Sequence, residues 1–360
     1  MQIHHAQDQS ILGRYNPGIK ATRKKRKSAP AAPEKTDVRL GRIVRLLTGH
    51  AMVVASGTKI AEEIGVSRSE VWRLIQQLRK LGVDIAGHPA TGYRLKSIPD
   101  LLLPDVVAPL LKGTIFASHI HHYYKIGSTN TAALEAAAAG APEGTVFLAE
   151  QQTAGRGRGS NTWHSAESVG IYCSAILRPA LPPAEVLVLT LAAGLAVRNA
   201  ILEIDSRLDP DLKWPNDLLI GGKKVCGILT EMNAEATRVR HIILGIGINV
   251  NQVSFPDELK AIATSLKITS GTEWSRVELC AALLKSLDSE YQKLLKNADA
   301  RESILKRFQE HSSSVRGRHI QVEESPELEG VTEGLDSRGF LQVRTRQGLK
   351  TVLSGTVRPK

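Results

Sequence analysis

Aromatic side chains are scarce in this chain of 360 residues, at 4% of the total, so aliphatic side chains must form most of any core. Cysteine is scarcer still. Cys173, Cys226 and Cys280 have neither the spacing of a zinc site nor that of a disulfide framework, and read as buried small hydrophobes of a reducing compartment. The N-terminus carries no signal-peptide core, and no apolar run is expected to reach the length that spans a membrane. The expectation is a cytoplasmic protein without a membrane partner. Negative charge is also in deficit, by 11, and the deficit is local. Residues 1–36 hold eight Lys/Arg against two Asp/Glu, residues 37–96 hold ten against five, and residues 97–360 hold 29 of each. A basic front end on a neutral body points to nucleic acid at the front.

The front end divides in two. Residues 1–36 lack hydrophobic period and include Arg23-Lys24-Lys25-Arg26-Lys27. They read as a disordered basic tail, either adding affinity for phosphates or merely solvated. Residues 37–97 are patterned. Val38, Ile43, Val44, Leu46 and Leu47 fit one helix, Thr58 precedes a short second one, and Gly65 turns the chain. Ser67, three residues before Glu70, is a capping box for a third helix with Val71, Leu74, Ile75 and Leu78 on its inner face. Ser67, Arg68, Ser69, Trp72 and Arg73 stand on its outer side as candidate DNA contacts. Two strand-like pieces around residues 83–85 and 92–95 complete a winged helix-turn-helix pattern. A protein-binding winged helix is the alternative, and the local positive charge favours DNA.

The body, residues 98–311, holds the chemistry. Gly155-Arg156-Gly157-Arg158-Gly159-Ser160 combines backbone freedom with forked cations and reads as an anion cradle or a flexible basic turn. It is neither a Walker loop nor a dinucleotide fingerprint. Ser128-Thr129-Asn130 opens an Ala-rich helix, either as a cap or as a reader of a small ligand's polar head. Lys213-Trp214-Pro215-Asn216-Asp217 gathers a cation, an amide and a carboxylate within five residues. Gly221-Gly222 reads as a hairpin turn, followed by Lys224-Val225-Cys226-Gly227. Glycines alternating with isoleucine from Gly245 to Ile248, before Asn249, mark a strand with something lying close on one face, whether backbone packing or a ligand. Residues 312–360 read as short strands between Gly-rich, charged turns.

In this order, with Gln152-Thr153-Ala154 ahead of the Gly-Arg repeat and Trp163 after it, these segments resemble the biotin–protein ligases. With the winged helix in front, they resemble the bifunctional members that are also biotin-operon repressors. The resemblance implies an α+β chain with a winged helix, a mixed α/β ligase domain and a small SH3-like C-terminal barrel. It implies ATP-dependent activation of biotin to biotinyl-5′-AMP with Mg2+, then transfer to a lysine of a biotin carboxyl carrier protein. It implies operator DNA and an adenylate-driven homodimer as further partners. Ser128, Thr129, Asn130 and Gln152 match the surroundings of the biotin ureido ring, and Asn249 matches the nucleotide side. Gly155, Arg156, Gly157, Arg158, Trp163, Gly227 and Gly247 match the ligand cradle. Arg158, Lys213, Lys224 and Asp217 match the adenylation machinery, with Asp217 holding Mg2+ or orienting a lysine. Gly159-Ser160-Asn161 departs from the further Arg or Gly that many members carry there. A ligase with a non-regulatory winged helix, a sensor without ligase activity and a lipoate–protein ligase are the alternatives.

Overall fold

The computed structural model describes residues 35–49, 54–80, 82–88, 91–97, 100–323, 325–355 and 357–359. Most of the expected basic tail and the tip of the expected wing, Pro89-Ala90, lie outside the described residues.

The front end is α1 (Lys35–Gly49), α2 (Gly57–Ile64) and α3 (Arg68–Lys80), closed by the antiparallel pair β1 (Asp84–His88) and β2 (Gly92–Ser97). Ser56, rather than Thr58, caps α2 by accepting the Lys59 N–H at 3.1 Å. Gly65 ends that helix in the left-handed conformation, φ 69°. The Ser67 hydroxyl accepts the Glu70 N–H at 3.2 Å, one half of the expected capping box, while the Glu70 carboxylate pairs with Arg73. The apolar stripes of the three helices meet: Ile43, Val44, Leu47, Ile60, Val71, Leu74, Ile75 and Leu78 are all buried in one cluster.

The body is built on a seven-stranded mixed sheet. In chain order its strands are β3 (Ile120–Tyr123), β4 (Val146–Ala149), β5 (Gly170–Leu177), β6 (Asp211–Lys213), β7 (Asp217–Ile220), β8 (Lys223–Ala234) and β9 (Val239–Asn249). Spatially they run β3-β4-β5-β9-β8-β7-β6, with only β3 and β4 parallel. Gly221 and Gly222 turn the β7–β8 hairpin with φ of 58° and 76°, the pair of positive values a tight two-residue loop demands. The short helix α4 (Pro104–Val107) leads in, and α5 (Thr129–Ala138), α6 (Val186–Ile204), α7 (Asp257–Lys260), α8 (Leu266–Ser270), α9 (Arg276–Lys296) and α10 (Ala300–Glu310) surround the sheet.

Strand parity divides the two faces. Ile171, Cys173, Ala175 and Leu177 of β5 and Ile242, Leu244, Ile246 and Ile248 of β9 enter the large core with α6 and α9. Tyr172, Ile176 and Ile243 face the alanines of α5 in a smaller cluster. The stretch Pro183–Ile204 is long and apolar enough to cross a membrane by length and composition, against the sequence expectation, and 67% of its apolar 18-residue window is buried inside the fold. Its hydrophobicity is that of a central core helix.

The C-terminal strands β10 (Arg316–Val322), β11 (Ser325–Leu335), β12 (Leu341–Thr345), β13 (Gly348–Val352) and β14 (Val357–Pro359) form an antiparallel sheet in the order β13-β12-β11-β10-β14. It is joined to the body: Ile320, Val322, Leu341 and Val343 belong to the same core as α6 and α10. The Trp214 indole N–H donates to the Gly339 carbonyl at 2.9 Å across the junction.

A buried ionic knot ties the chain entering the body to the sheet. Glu150, just past β4, takes Arg276 at 2.7 Å, His122 at 3.0 Å and the Leu102 N–H at 2.9 Å. Arg276 also donates to the carbonyls of Gly170 and Asp100. Burial alone would raise the Glu150 carboxyl, but His122 and the Arg276 guanidinium hold it at about 2 instead of 4.5. A depressed carboxyl stabilises the fold above pH 4.5 and loses that contribution as pH falls toward 2. Glu150→Gln is therefore expected to cost about 3 kcal/mol at neutral pH, because it strands a buried guanidinium. It should also flatten the acid limb of stability in urea titrations run from pH 6 downward, and an unchanged acid slope would refute this account.

Candidate active site

The sheet register brings the predicted chemistry into one row. Lys213 pairs with Asp217, Asp217 with Gly227, Gly227 with Gly247, and Gly247 with Tyr172. Directly paired residues point to the same face, so these five positions share one side of four hairpin-linked strands and β5. Lys224 reaches that side by an irregularity. The register slips between Leu218↔Cys226 and Leu219↔Lys224, leaving Val225 as the extra residue of a β-bulge. Without the bulge, Lys224 would share the buried face of Cys226. With it, the Lys224 ammonium stands 2.7 Å from Asp217 Oδ1 and 5.5 Å from the centre of the Trp163 ring. Asp217 thus holds a lysine, the second of the two roles foreseen for it. Among the described residues no three His, Cys, Asp or Glu side chains gather to hold a metal ion.

Next to the row lies a polar network at the start of α5. Ser128 occupies the N-cap position but makes no side-chain cap hydrogen bond, so the capping reading of its hydroxyl does not hold. Thr129 donates its backbone N–H to Gln152 Oε1 at 2.9 Å and its hydroxyl to the same oxygen at 3.1 Å. The Gln152 amide in turn donates to Ser165 Oγ at 2.9 Å. Ser174 Oγ lies 2.8 Å from Thr129 Oγ1 and donates to Asn130 Oδ1 at 2.5 Å. Asn130 Nδ2 donates to Glu231 Oε2 at 2.9 Å. Thr129 and Asn130 are buried, and a Cβ on Gly245 would stand 2.0 Å from Asn130 Oδ1.

The Gly-Arg loop is a small hairpin. Arg156 bridges Thr162, the Gly157 N–H donates to the Asn161 carbonyl at 2.8 Å, and the Trp163 N–H donates to Gly155 O at 2.9 Å. Gly157 therefore spends its N–H within the loop. The Gly159-Ser160-Asn161 departure forms the hairpin's tip, where Gly159 takes φ 61°. Arg156 is paired with Glu231, while Arg158 donates to Asn216 Oδ1 at 3.2 Å and to Gly355 O, in the segment after β13, at 3.4 Å. Beyond the hairpin, the Trp163 ring lies on bare backbone. A Cβ on Gly247 would come within 2.5 Å of it and one on Gly227 within 2.9 Å. The alternating glycines thus make room for Asn130 and Trp163.

Residues 123–249 match the model of the biotin/lipoate A/B protein ligase family, residues 39–94 that of an HTH domain, and residues 316–358 that of the biotin protein ligase C-terminal domain. The chain is 39% identical over 321 residues to the bifunctional ligase/repressor BirA of Bacillus spizizenii, covering 88% of this chain and 97% of that one. It is 26% identical over 303 residues to the BirA of Escherichia coli K12, covering 84% and 92%. In structure it is similar to the biotin protein ligase of Aquifex aeolicus in complex with biotin and ATP, with 31% identity, a TM-score of 0.58, and coverage of 68% of this chain and 100% of that one. The chain belongs to the biotin protein ligase family. The helix-turn-helix in front gives it the ligase/repressor organisation.

Asn249 does not join the other ligase residues in the network. It is buried, donates to Thr264 O at 3.0 Å and accepts from Gln252 at 3.3 Å, so both ends of its amide are spent on the protein. On α3, Trp72 is 59% exposed, whereas Arg73 forms a two-point ion pair with Glu70 and Ser67 is spent as a cap. Arg68 is exposed at the helix start. Glu231, Ser174 and Ser165 escaped the sequence reading. The available signal was parity: Glu231 is a carboxylate two and four residues beyond Leu229 and Gly227 on the same strand face.

The Gly247 contact can be tested directly. Gly247→Ala puts a methyl into the Trp163 ring and is expected to cost about 1–3 kcal/mol. It should also shift tryptophan emission to the red, a shift that disappears in a Trp163→Phe background. Persistence of the shift in that background would show that the ring does not lie on this strand.

Proposed function

We propose that this site joins biotin to the α-phosphate of ATP as biotinyl-5′-AMP, with release of diphosphate, and then passes the biotinyl group to one lysine of a biotin carboxyl carrier protein. The observation that carries the reading is the single sheet face on which Lys213, Asp217 and Lys224 stand beside the Thr129–Gln152–Asn130 network, under the Arg156–Arg158 hairpin. In the first step a carboxylate must approach an α-phosphate. Lys213, Lys224 and Arg158 supply the positive charge that offsets the repulsion and stabilises the charge developing on phosphorus oxygens. Asp217 keeps Lys224 aimed along the row. Ser128, Thr129, Asn130 and Gln152 provide the mixture of donors and acceptors that a ureido ring requires. Mg2+ would add positive charge on the phosphates, and Asp217 would be the carboxylate to hold it. In the second step the carrier's lysine amine attacks the acyl carbonyl and AMP departs. Both steps gain from a lid that keeps water out.

The same reading covers the rest of the chain. Its proposed parts are a basic tail (1–36), a DNA-binding winged helix (37–97), a ligase body (98–311) and a C-terminal unit (312–360) that we read as SH3-like. We place it in the cytoplasm, where ATP, carrier protein and operator DNA are found together. We read it as a homodimer when loaded with adenylate, since two recognition helices then meet two half-sites.

Mass spectrometry of a carrier protein incubated with the chain, ATP, Mg2+ and biotin is expected to show the biotin adduct. Its absence, or a preference for lipoate over biotin, would sink the enzymatic reading. Arg158→Gly should still form adenylate but release it faster, because the hairpin loses its hold on Asn216 and Gly355; wild-type retention in a dissociation assay would count against a lid. For the winged helix, Arg68→Ala is expected to weaken operator-like DNA binding across sequences and lower the salt slope by about 1. Binding that ignores biotin and ATP altogether would leave a ligase with a non-regulatory front end.

A further inference from the structure

The first arginine of the hairpin and the asparagine at the start of α5 share one acceptor. Glu231 Oε2 takes Asn130 Nδ2 at 2.9 Å and the Arg156 guanidinium. The Glu231 carboxylate and the Leu229 carbonyl can only accept, so the Asn130 amide orients with Nδ2 toward them and Oδ1 toward the Ser174 hydroxyl. The hairpin is consequently pinned at two points. One is an ion pair at its root, Arg156 to Glu231, with the Glu231 side chain only 26% exposed. The other, Arg158 to Asn216 and Gly355, uses neutral oxygens at 3.2 and 3.4 Å. Charge-assisted contacts are the stronger kind, so the root is the firmer pin.

We infer that Glu231 is a positioning residue of this site, fixing the Asn130 amide and anchoring the Gly-Arg hairpin through Arg156, and so setting how long the hairpin stays closed over an acyl-adenylate. It acts through these two side chains rather than on the reacting atoms. The inference rests on the biotin-activating reading, and one arm of its test does not depend on that reading.

Glu231→Gln keeps the size and an acceptor for Asn130 but removes the charge that holds Arg156. In the ligand-free full chain, hydrogen exchange at the Gly157 and Trp163 amides, which bond within the hairpin, is expected to rise by about tenfold. Supplied with biotin and ATP, the variant should release biotinyl-adenylate about tenfold faster with its KM for biotin unchanged. Glu231→Ala, which also frees the Asn130 amide, should raise that KM in addition. A Glu231→Gln/Arg156→Gln double variant should be no worse than Arg156→Gln alone, since the two act as one pair. Wild-type exchange and dissociation in Glu231→Gln would overturn the inference, as would effects that multiply in the double variant. If the wild type forms no adenylate the functional reading falls, and the exchange measurement still decides whether Glu231 anchors the hairpin.

Discussion

Side chains packed against bare backbone hold this site together. At Gly227, Gly245 and Gly247 a single methyl would collide with Trp163 or Asn130. Interiors are packed too densely to absorb an atom at 2.0–2.9 Å without moving something. The glycines therefore set the depth of the floor, and the floor sets where α5 and the Gly-Arg hairpin can approach. Because Lys213, Asp217, Gly227, Gly247 and Tyr172 are paired in turn across the strands, the same floor lines up Lys213, Asp217 and Tyr172 along it. Fold and site are thus one geometric statement, made by strand pairing.

Three cations of the site, Arg156, Lys224 and Arg158, have partners within the protein. Arg156 meets Glu231, Lys224 meets Asp217, and Arg158 meets an amide and a carbonyl. Half-buried charges without partners would be costly to keep in place. Pairing them internally holds the side chains in working positions before an anion arrives. An anionic ligand then exchanges partners instead of ordering loose cations, which lowers the entropy cost of binding.

The three parts of the chain do not fold as beads. Asp100 and Leu102, on the approach from the winged helix, are bonded into the Arg276–Glu150 knot two residues before Gln152. The C-terminal unit shares the main core and offers Gly355 to Arg158. The approach from the winged helix and the C-terminal unit are therefore both tied to the strand and loop that carry the site.

Much of this was legible in the sequence. Helical stripes, the Ser67 cap and the Gly221-Gly222 turn are local patterns, fixed by backbone sterics and burial over a few residues. The order of the Gly-Arg, Lys-Trp-Pro-Asn-Asp and Gly-Ile segments carried the family. What stayed hidden depended on contacts between residues far apart in the chain. The Val225 bulge that turns Lys224 toward Asp217 is invisible to a period-2 reading. So are the Glu231 link between Asn130 and Arg156, the internal use of Asn249, and the shared core of the C-terminal sheet. The sequence by itself determined which residue types are present and which elements they form, because propensity and periodicity act locally. Only the tertiary structure decided which charge faces which, because register and close packing select partners that no spacing along the chain encodes.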